Sequence, residues 1–302
     1  VALGQTVALD DLAVLLERVT SGKDSEAAAK GLKAACVRMP DGEACAQRLA
    51  AAMAGAPIAA QCTILDVLGA MGGKTALETL GAAAKSDNGE IKDAASQTLG
   101  RWMSVDAGDV LLDLAKTDPE TKYQVRALRG YIRLVRQFPL PDDQRVAMCR
   151  AALAAAKRDA EKKLVLEVME RYPSIGMLRL AVEAKKTPAL AGDVEKAALG
   201  IAQQIAGTVD VAELMEQLGA KPVKIEIVKA EYGAGTTVKD VTEIIRKAAG
   251  DLRLIVLPSA SYNAAFGGDP APGVVKQLKI QYQLDGEPAE ATFSENAPIL
   301  LK

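Results

Sequence analysis

Histidine is absent from all 302 residues, which removes the commonest general base, the usual Ser and Cys triads and most zinc and haem sites. Carboxylate, Lys or Tyr chemistry stays open, but no G-x-S-x-G elbow occurs. The chain is read as non-enzymatic, with no cofactor and no metal. Aromatic residues make up only 3%, with one Trp, against 49% hydrophobic residues rich in alanine. Such an interior suits closely packed helices and poorly suits an aromatic-lined small-molecule pocket. Neither sign of charge dominates: 37 Lys and Arg oppose 39 Asp and Glu, a formal net charge of −2, so no global field draws the chain to nucleic acid or an anionic membrane. No apolar run approaches the roughly 18 residues of a membrane span. The opening Val1-Ala2-Leu3-Gly4-Gln5 has neither an initiator Met nor signal-peptide organisation, which leaves the address unread.

What is present is a succession of short helical segments from Asp10 to about Gly219. Breakers fall at Pro40-Asp41-Gly42, Gly72-Gly73, Asp87-Asn88-Gly89, Asp118-Pro119, Pro139-Leu140-Pro141, Pro173, Pro188 and Gly207. Tight turns between so many helices imply antiparallel helical hairpins. Ile58, Cys62, Leu65 and Leu68 form one apolar stripe; Ile91, Ala95, Leu99 and Trp102 a second; Val125, Leu128, Ile132 and Val135 a third. Val165, Val168, Met169 and Tyr172, then Val194, Ala198, Ile201 and Ile205, continue the series. The stripes recur at roughly 30 to 40 residues, near the period of two-helix solenoid units.

After Gly219 the period changes to two. Val223, Ile225 and Ile227, then Leu252, Leu254 and Val256, then Leu278, Ile280, Tyr282 and Leu284 alternate with polar residues, which predicts strands with one buried face. Asp240-Val241-Thr242-Glu243 has the pattern of a capping box and predicts a short helix closed by Gly250.

The segments Leu65–Gly73, Arg126–Arg133 and Glu161–Val168 resemble HEAT-repeat modules of bacterial, often exported, multidomain proteins. The stretches Ala230–Gly233, Asp240–Thr242 and Phe266–Gly273 are similar to a small C-terminal domain of unknown function that also occurs in a mitochondrial DnaJ-like protein. The expected fold is mainly α: a HEAT-like solenoid of antiparallel hairpins over residues 1–220, then a small β-rich, sandwich-like domain over 221–302 with one short helix. The resemblance implies a binding role, since such repeats mainly hold other molecules. It also implies an extracytoplasmic setting, with a cytoplasmic one as the alternative.

Lys122, Arg126, Arg129, Arg133 and Arg136 lie at spacings of one helical turn and share one face. More bases follow at Arg145, Arg150, Lys157 and Arg158. The row reads as an anion-binding ridge, or as a solvated face whose charges pair with Asp109, Asp113 and Asp118 of the preceding helix and turn, and the second reading is favoured. The Gly- and Pro-rich loop from Ser259 to Gly273 carries Asn263 and Asp269; too few oxygen ligands are visible for calcium, so a turn before a strand from Val274 is favoured. Cys36 and Cys45 flank the Pro40-Asp41 turn, where they either pair as a disulfide or stay as two small buried thiols. Cys62 and Cys149 are placed in the core. Gly69-Ala70-Met71-Gly72-Gly73-Lys74-Thr75 has the look of a P-loop, but its first glycine is misplaced and a helix precedes it, so it is read as a helix stop.

The expected function is a scaffold that holds a protein partner or copies of itself. A carbohydrate-binding accessory role is the alternative, suggested by the company such repeats keep. Nucleic acid, including damaged DNA, is disfavoured by the balanced charge and the single Trp.

Overall fold

The computed structural model describes residues 9–21, 25–185, 191–205, 214, 217, 223–250, 253–259 and 261–301. The breakers at Pro188 and Gly207, the strand position Leu252 and the expected boundary at Lys221 lie outside the described residues. The chain divides into two compact units, Val1–Leu140 with Ala151–Glu161, and Pro141–Arg150 with Lys162–Lys302.

The first unit holds α1 (Leu12–Thr20), α2 (Ser25–Cys36), α3 (Gly42–Met53), α4 (Ile58–Met71), α5 (Lys74–Ala83), α6 (Gly89–Gly100), α7 (Gly108–Thr117) and α8 (Thr121–Gln137). The sequence breakers set their ends. Asp41 Oδ1 accepts the Ala44 N–H that α3 leaves unsatisfied, and Asn88 accepts from Glu90 and Ile91 at the start of α6. Gly72, at φ 73°, ends α4 in a conformation that favours glycine. α1 and α2, α3 and α4, α5 and α6, and α7 and α8 pack as hairpins, and α2 also stacks on α4, α3 on α5, α4 on α6 and α6 on α8. Leu32, Leu49, Ile64, Leu65, Leu68, Leu80, Leu99, Trp102, Leu111 and Leu134 form the core. Because a stacked helix is covered on several sides, burial is broader than one stripe. In α4 it runs through Ala60, Ile64, Leu65, Val67 and Leu68, whereas Ile58, at the first turn, is exposed.

Helices α9 (Asp142–Ala155) and α10 (Asp159–Arg171) contribute to both units, and α11 (Ile175–Ala184) and α12 (Ala191–Ile205) belong to the second. Its β region contains β1 (Ile225–Ala234), β2 (Thr237–Asp240), α13 (Thr242–Ala248), β3 (Leu254–Ile255), a single helical turn at Tyr262–Ala265, β4 (Gln277–Leu284), β5 (Glu287–Ser294) and β6 (Ile299–Leu300). Four strands form an antiparallel sheet in the order β2-β1-β4-β5, and β3 pairs with β6. The inward residues Tyr232, Leu278, Ile280 and Tyr282 pack with Ile245 of α13, Tyr262 and Phe266.

Three local expectations change. The strand expected from Val274 begins at Gln277, leaving Val274 and Val275 exposed. Asp240 closes β2; its carboxylate still accepts the Thr242 N–H at 2.8 Å, but Glu243 pairs with Arg246 and makes no reciprocal cap. Among the described residues of the segment expected around Leu252 to Val256, Leu254–Ile255 form a two-residue strand.

Candidate functional site

The cationic row on α8 sits over a junction of small residues. A Cβ built on Gly130 would lie 3.1 Å from the Gly100 Cα and 3.2 Å from Leu111 Cδ2, so α6 and α8 approach through their glycines. Above this contact a groove of about 570 Å³ is lined by Gln97, Gly100, Arg101, Lys122, Val125, Arg126, Arg129, Gly130 and Arg133. Five lining residues are cations and none is acidic. Four of the five α8 cations therefore meet in one place, Arg136 is not among the lining residues, and Arg101, at the end of α6, joins them.

The row is not paired with Asp109, Asp113 and Asp118 as expected. Asp113 holds Lys85 at 2.8 Å, and Asp118 holds the buried Lys92 at 3.1 Å. The carboxylate partners of Lys122, Arg126 and Arg129 come instead from α6 and α10. Arg126 Nη1 lies 2.8 Å from Asp93 Oδ1 and 2.6 Å from Ser96 Oγ, and Lys122 Nζ stands 3.7 Å from the same carboxylate. The Arg126 guanidinium holds the Asp93 carboxyl below its ordinary range. Arg129 donates to Glu161 at 3.0 Å; this carboxylate is 1% exposed and also accepts Arg158 at 2.7 Å. Arg158, then Arg129, overcome the cost of burial and hold Glu161 below the usual carboxylate range. Arg133 donates to the carbonyls of Gly100 and Trp102, and burial lowers its pKa. The later bases are also engaged: Arg145 stacks 3.7 Å from the Tyr172 ring centroid, Arg150 pairs with Glu183, and Lys157 donates to Gln124 at 3.0 Å.

These contacts share a sequence offset. Lys33–Asp66, Arg126–Asp93, Lys157–Gln124 and Arg150–Glu183 are each separated by 33 residues, and Arg129–Glu161 by 32. Equivalent helices of successive hairpins are thus joined by side chains one period apart.

The other sequence candidates are bound into structure. Glu43 Oε1 accepts the Lys74 N–H at 2.7 Å and Oε2 the Thr75 N–H at 3.2 Å. A carboxylate of α3 therefore takes the donors at the start of α5 that a phosphate would use, consistent with a helix stop. Asn263 Oδ1 accepts the Tyr232 hydroxyl at 2.8 Å, and Asp269 and Glu295 hold Lys276 Nζ at 3.1 and 3.3 Å. The Lys276 ammonium occupies the position a bound cation would take. Burial opposes its charge, but Asp269 and Glu295 outweigh that and raise its pKa. No group of three or more acidic or cysteine side chains placed for a metal occurs among the described residues. Cys36 and Cys45 are buried thiols hydrogen-bonded to each other. That bond, followed by burial, raises the Cys36 pKa, whereas at Cys45 the bond to Cys36 outweighs the opposing effect of burial and lowers the pKa. Cys149 is buried as expected and pushed up to about 12 by burial, while Cys62 is only half-buried.

Stacked antiparallel hairpins tied at a fixed offset define a helical-repeat protein. Residues 46–129 match the family of HEAT repeats, a stretch that covers α4 to α7 and the α8 row as far as Arg129. No curated protein matches the chain significantly. No described helix is long and apolar enough to cross a membrane.

Proposed function

We propose that the protein is a non-enzymatic interaction scaffold whose HEAT repeats present helix faces to a protein partner. The observation that carries this reading is the repeating offset of about one hairpin between bonded side chains, of which the Arg126–Asp93 contact lies within the residues that match HEAT repeats and the Lys33–Asp66 and Arg129–Glu161 contacts extend to either side of them. Polar atoms that touch across repeats fix a rigid surface, and a rigid surface loses less conformational entropy on binding. The β region, with its own aromatic core, supplies a second surface and is read as a separate domain from about residue 221. An extracytoplasmic setting fits the facing Cys36 and Cys45 thiols, which there would close as a disulfide.

Purification of the native protein under non-reducing conditions, followed by light scattering and mass spectrometry of what accompanies it, tests the reading. A partner at fixed stoichiometry, or a homogeneous multimer, is the expected result. A bare monomer at every concentration, with no cross-linked neighbour in its native setting, overturns it.

A further inference from the structure

We propose that the groove between α6 and α8 is a docking site for an extended acidic segment of a protein partner, read through its carboxylates. The proposal rests on the scaffold reading and names the surface and the chemistry it uses. Arg101, Lys122, Arg126, Arg129 and Arg133 line the groove without an acidic neighbour in its wall. The carboxylates paired with these cations, Asp93 and Glu161, are not among the lining residues. Glu161 is fully covered and Asp93 two-thirds covered. Five cations against two carboxylates leave a local excess of positive charge in a chain whose total is −2.

The donors are only partly used on Arg126, Arg129 and Lys122, whereas the three nitrogens of Arg133 are committed to the Gly100 and Trp102 carbonyls and to Gln137, so that Arg133 contributes charge. Arg126 commits one nitrogen, Nη1, to Asp93 and Ser96, and Arg129 commits Nε and Nη2 to Glu161. Lys122 is 59% exposed and stands at the outer limit of an ion pair with Asp93. From Lys122 to Arg133 the row extends about 16 Å at ~1.5 Å per helical residue, the span of several residues of extended peptide. Gly100 and Gly130, which have no side chains of their own, are among the lining residues and leave room between the cations.

The choice of an acidic peptide over nucleic acid follows from three features. No lining residue is aromatic, so bases find no stacking surface. The excess charge is modest and confined to the groove, whereas a phosphate polymer favours a broad field. The same guanidinium row already holds carboxylates, Asp93 and Glu161, so its geometry suits that group.

The test is fluorescence anisotropy of the full chain with a labelled peptide of alternating Glu and Gly, beside a Gln-for-Glu control peptide and a single-stranded oligonucleotide of equal length. Arg101→Gln with Lys122→Gln removes two charges and leaves the pairs of Arg126 with Asp93 and of Arg129 and Arg158 with Glu161 intact. Binding to the acidic peptide that the control lacks, that weakens about tenfold in the double variant, and that weakens again between roughly 50 and 300 mM salt is the expected result. An unchanged melting temperature of the variant shows that the loss is local. Equal affinity for both peptides, no effect of the double variant, or tighter binding of the oligonucleotide overturns the proposal. A peptide that binds in the groove of a protein with no native partner would instead count against the scaffold reading, so the two failures are separable.

Discussion

Gly130 faces Gly100 across the α6–α8 contact, and the two glycines are not equivalent. A Cβ on Gly130 meets the Gly100 Cα at 3.1 Å and the Leu111 side chain at 3.2 Å, while a Cβ on Gly100 meets only the flexible Arg126 side chain at 3.7 Å. Gly130→Val forces the helices apart and adds a β-branch to a helix interior, so it should cost about 2–3 kcal/mol. Gly100→Ala should change stability by about 0.5 kcal/mol or less, in either direction, since it ends a helix and its methyl makes only an ordinary contact with Arg126. Urea unfolding of both variants checks the contrast, and equal losses would show that α6 and α8 do not meet as described.

Glu161 links stability to pH. Its folded pKa lies below the unfolded value, so the unfolded chain binds more protons through the acid range and stability rises with pH there. The contribution is fully present above the unfolded pKa of about 4.3 and is lost as pH falls through the folded value. Glu161→Gln removes the carboxylate from two guanidiniums that are half-exposed, so solvent screens them and the loss at neutral pH should be about 1–3 kcal/mol. Thermal melts of both proteins from pH 7 to 3.5 should converge as pH falls; parallel curves would remove Glu161 from the account.

The helices were legible because the breakers at Pro40-Asp41-Gly42, Asp87-Asn88-Gly89 and Asp118-Pro119 act locally, through caps and through the donor that proline lacks. The α8 row was legible for the same reason, as it depends only on helical spacing. Its partners were not. Asp93 and Glu161 lie one repeat before and after the row, and nothing in the spacing says that equivalent helices, rather than a hairpin's two arms, exchange charges. Arg101 was missed because it follows α6 and joins the groove only when α8 stacks beside it. β5 escaped notice because its inward residues include the small Ala289 and Ala291, although the Asp285-Gly286 turn, at φ 51° and 94°, was a hairpin signal in plain view. Lys276 and Glu295 meet across strands, 19 residues apart, and no local pattern joins them.

Lys276 is 3% exposed and neutralises both Asp269 and Glu295 beside the Tyr232 hydroxyl. Lys276→Met leaves two carboxylates facing each other across the vacated ammonium position, which should lower the melting temperature. The loss should appear in the near-ultraviolet signal of the packed Tyr232, Tyr262 and Phe266, whose rings stand 5.1 to 5.7 Å apart. Calcium should leave the melting temperature of the unaltered protein unchanged, because the ammonium already fills the cation position. A calcium-dependent rise would show that the loop of Asn263 and Asp269 opens to an ion.

Cys36 and Cys45 are poised for oxidation but shielded from it. Both are buried, and the Cys36 thiol is held protonated by its bond to Cys45 and by burial, so neither should react readily with iodoacetamide while the chain is folded. Refolding of the denatured chain in the presence of oxidised glutathione, when both thiols are accessible, should join the two sulfurs with loss of two hydrogens, while one glutathione disulfide is reduced to two thiols. Closing so short a loop should stabilise the first unit by about 2–3 kcal/mol, and Cys45→Ser should abolish both the bond and the gain. Peptide mapping under non-reducing conditions decides the matter. A bond between Cys36 and Cys45 in protein taken from its native source supports the oxidising setting, whereas two free thiols there, in a chain that oxidises readily in vitro, place it in a reducing one.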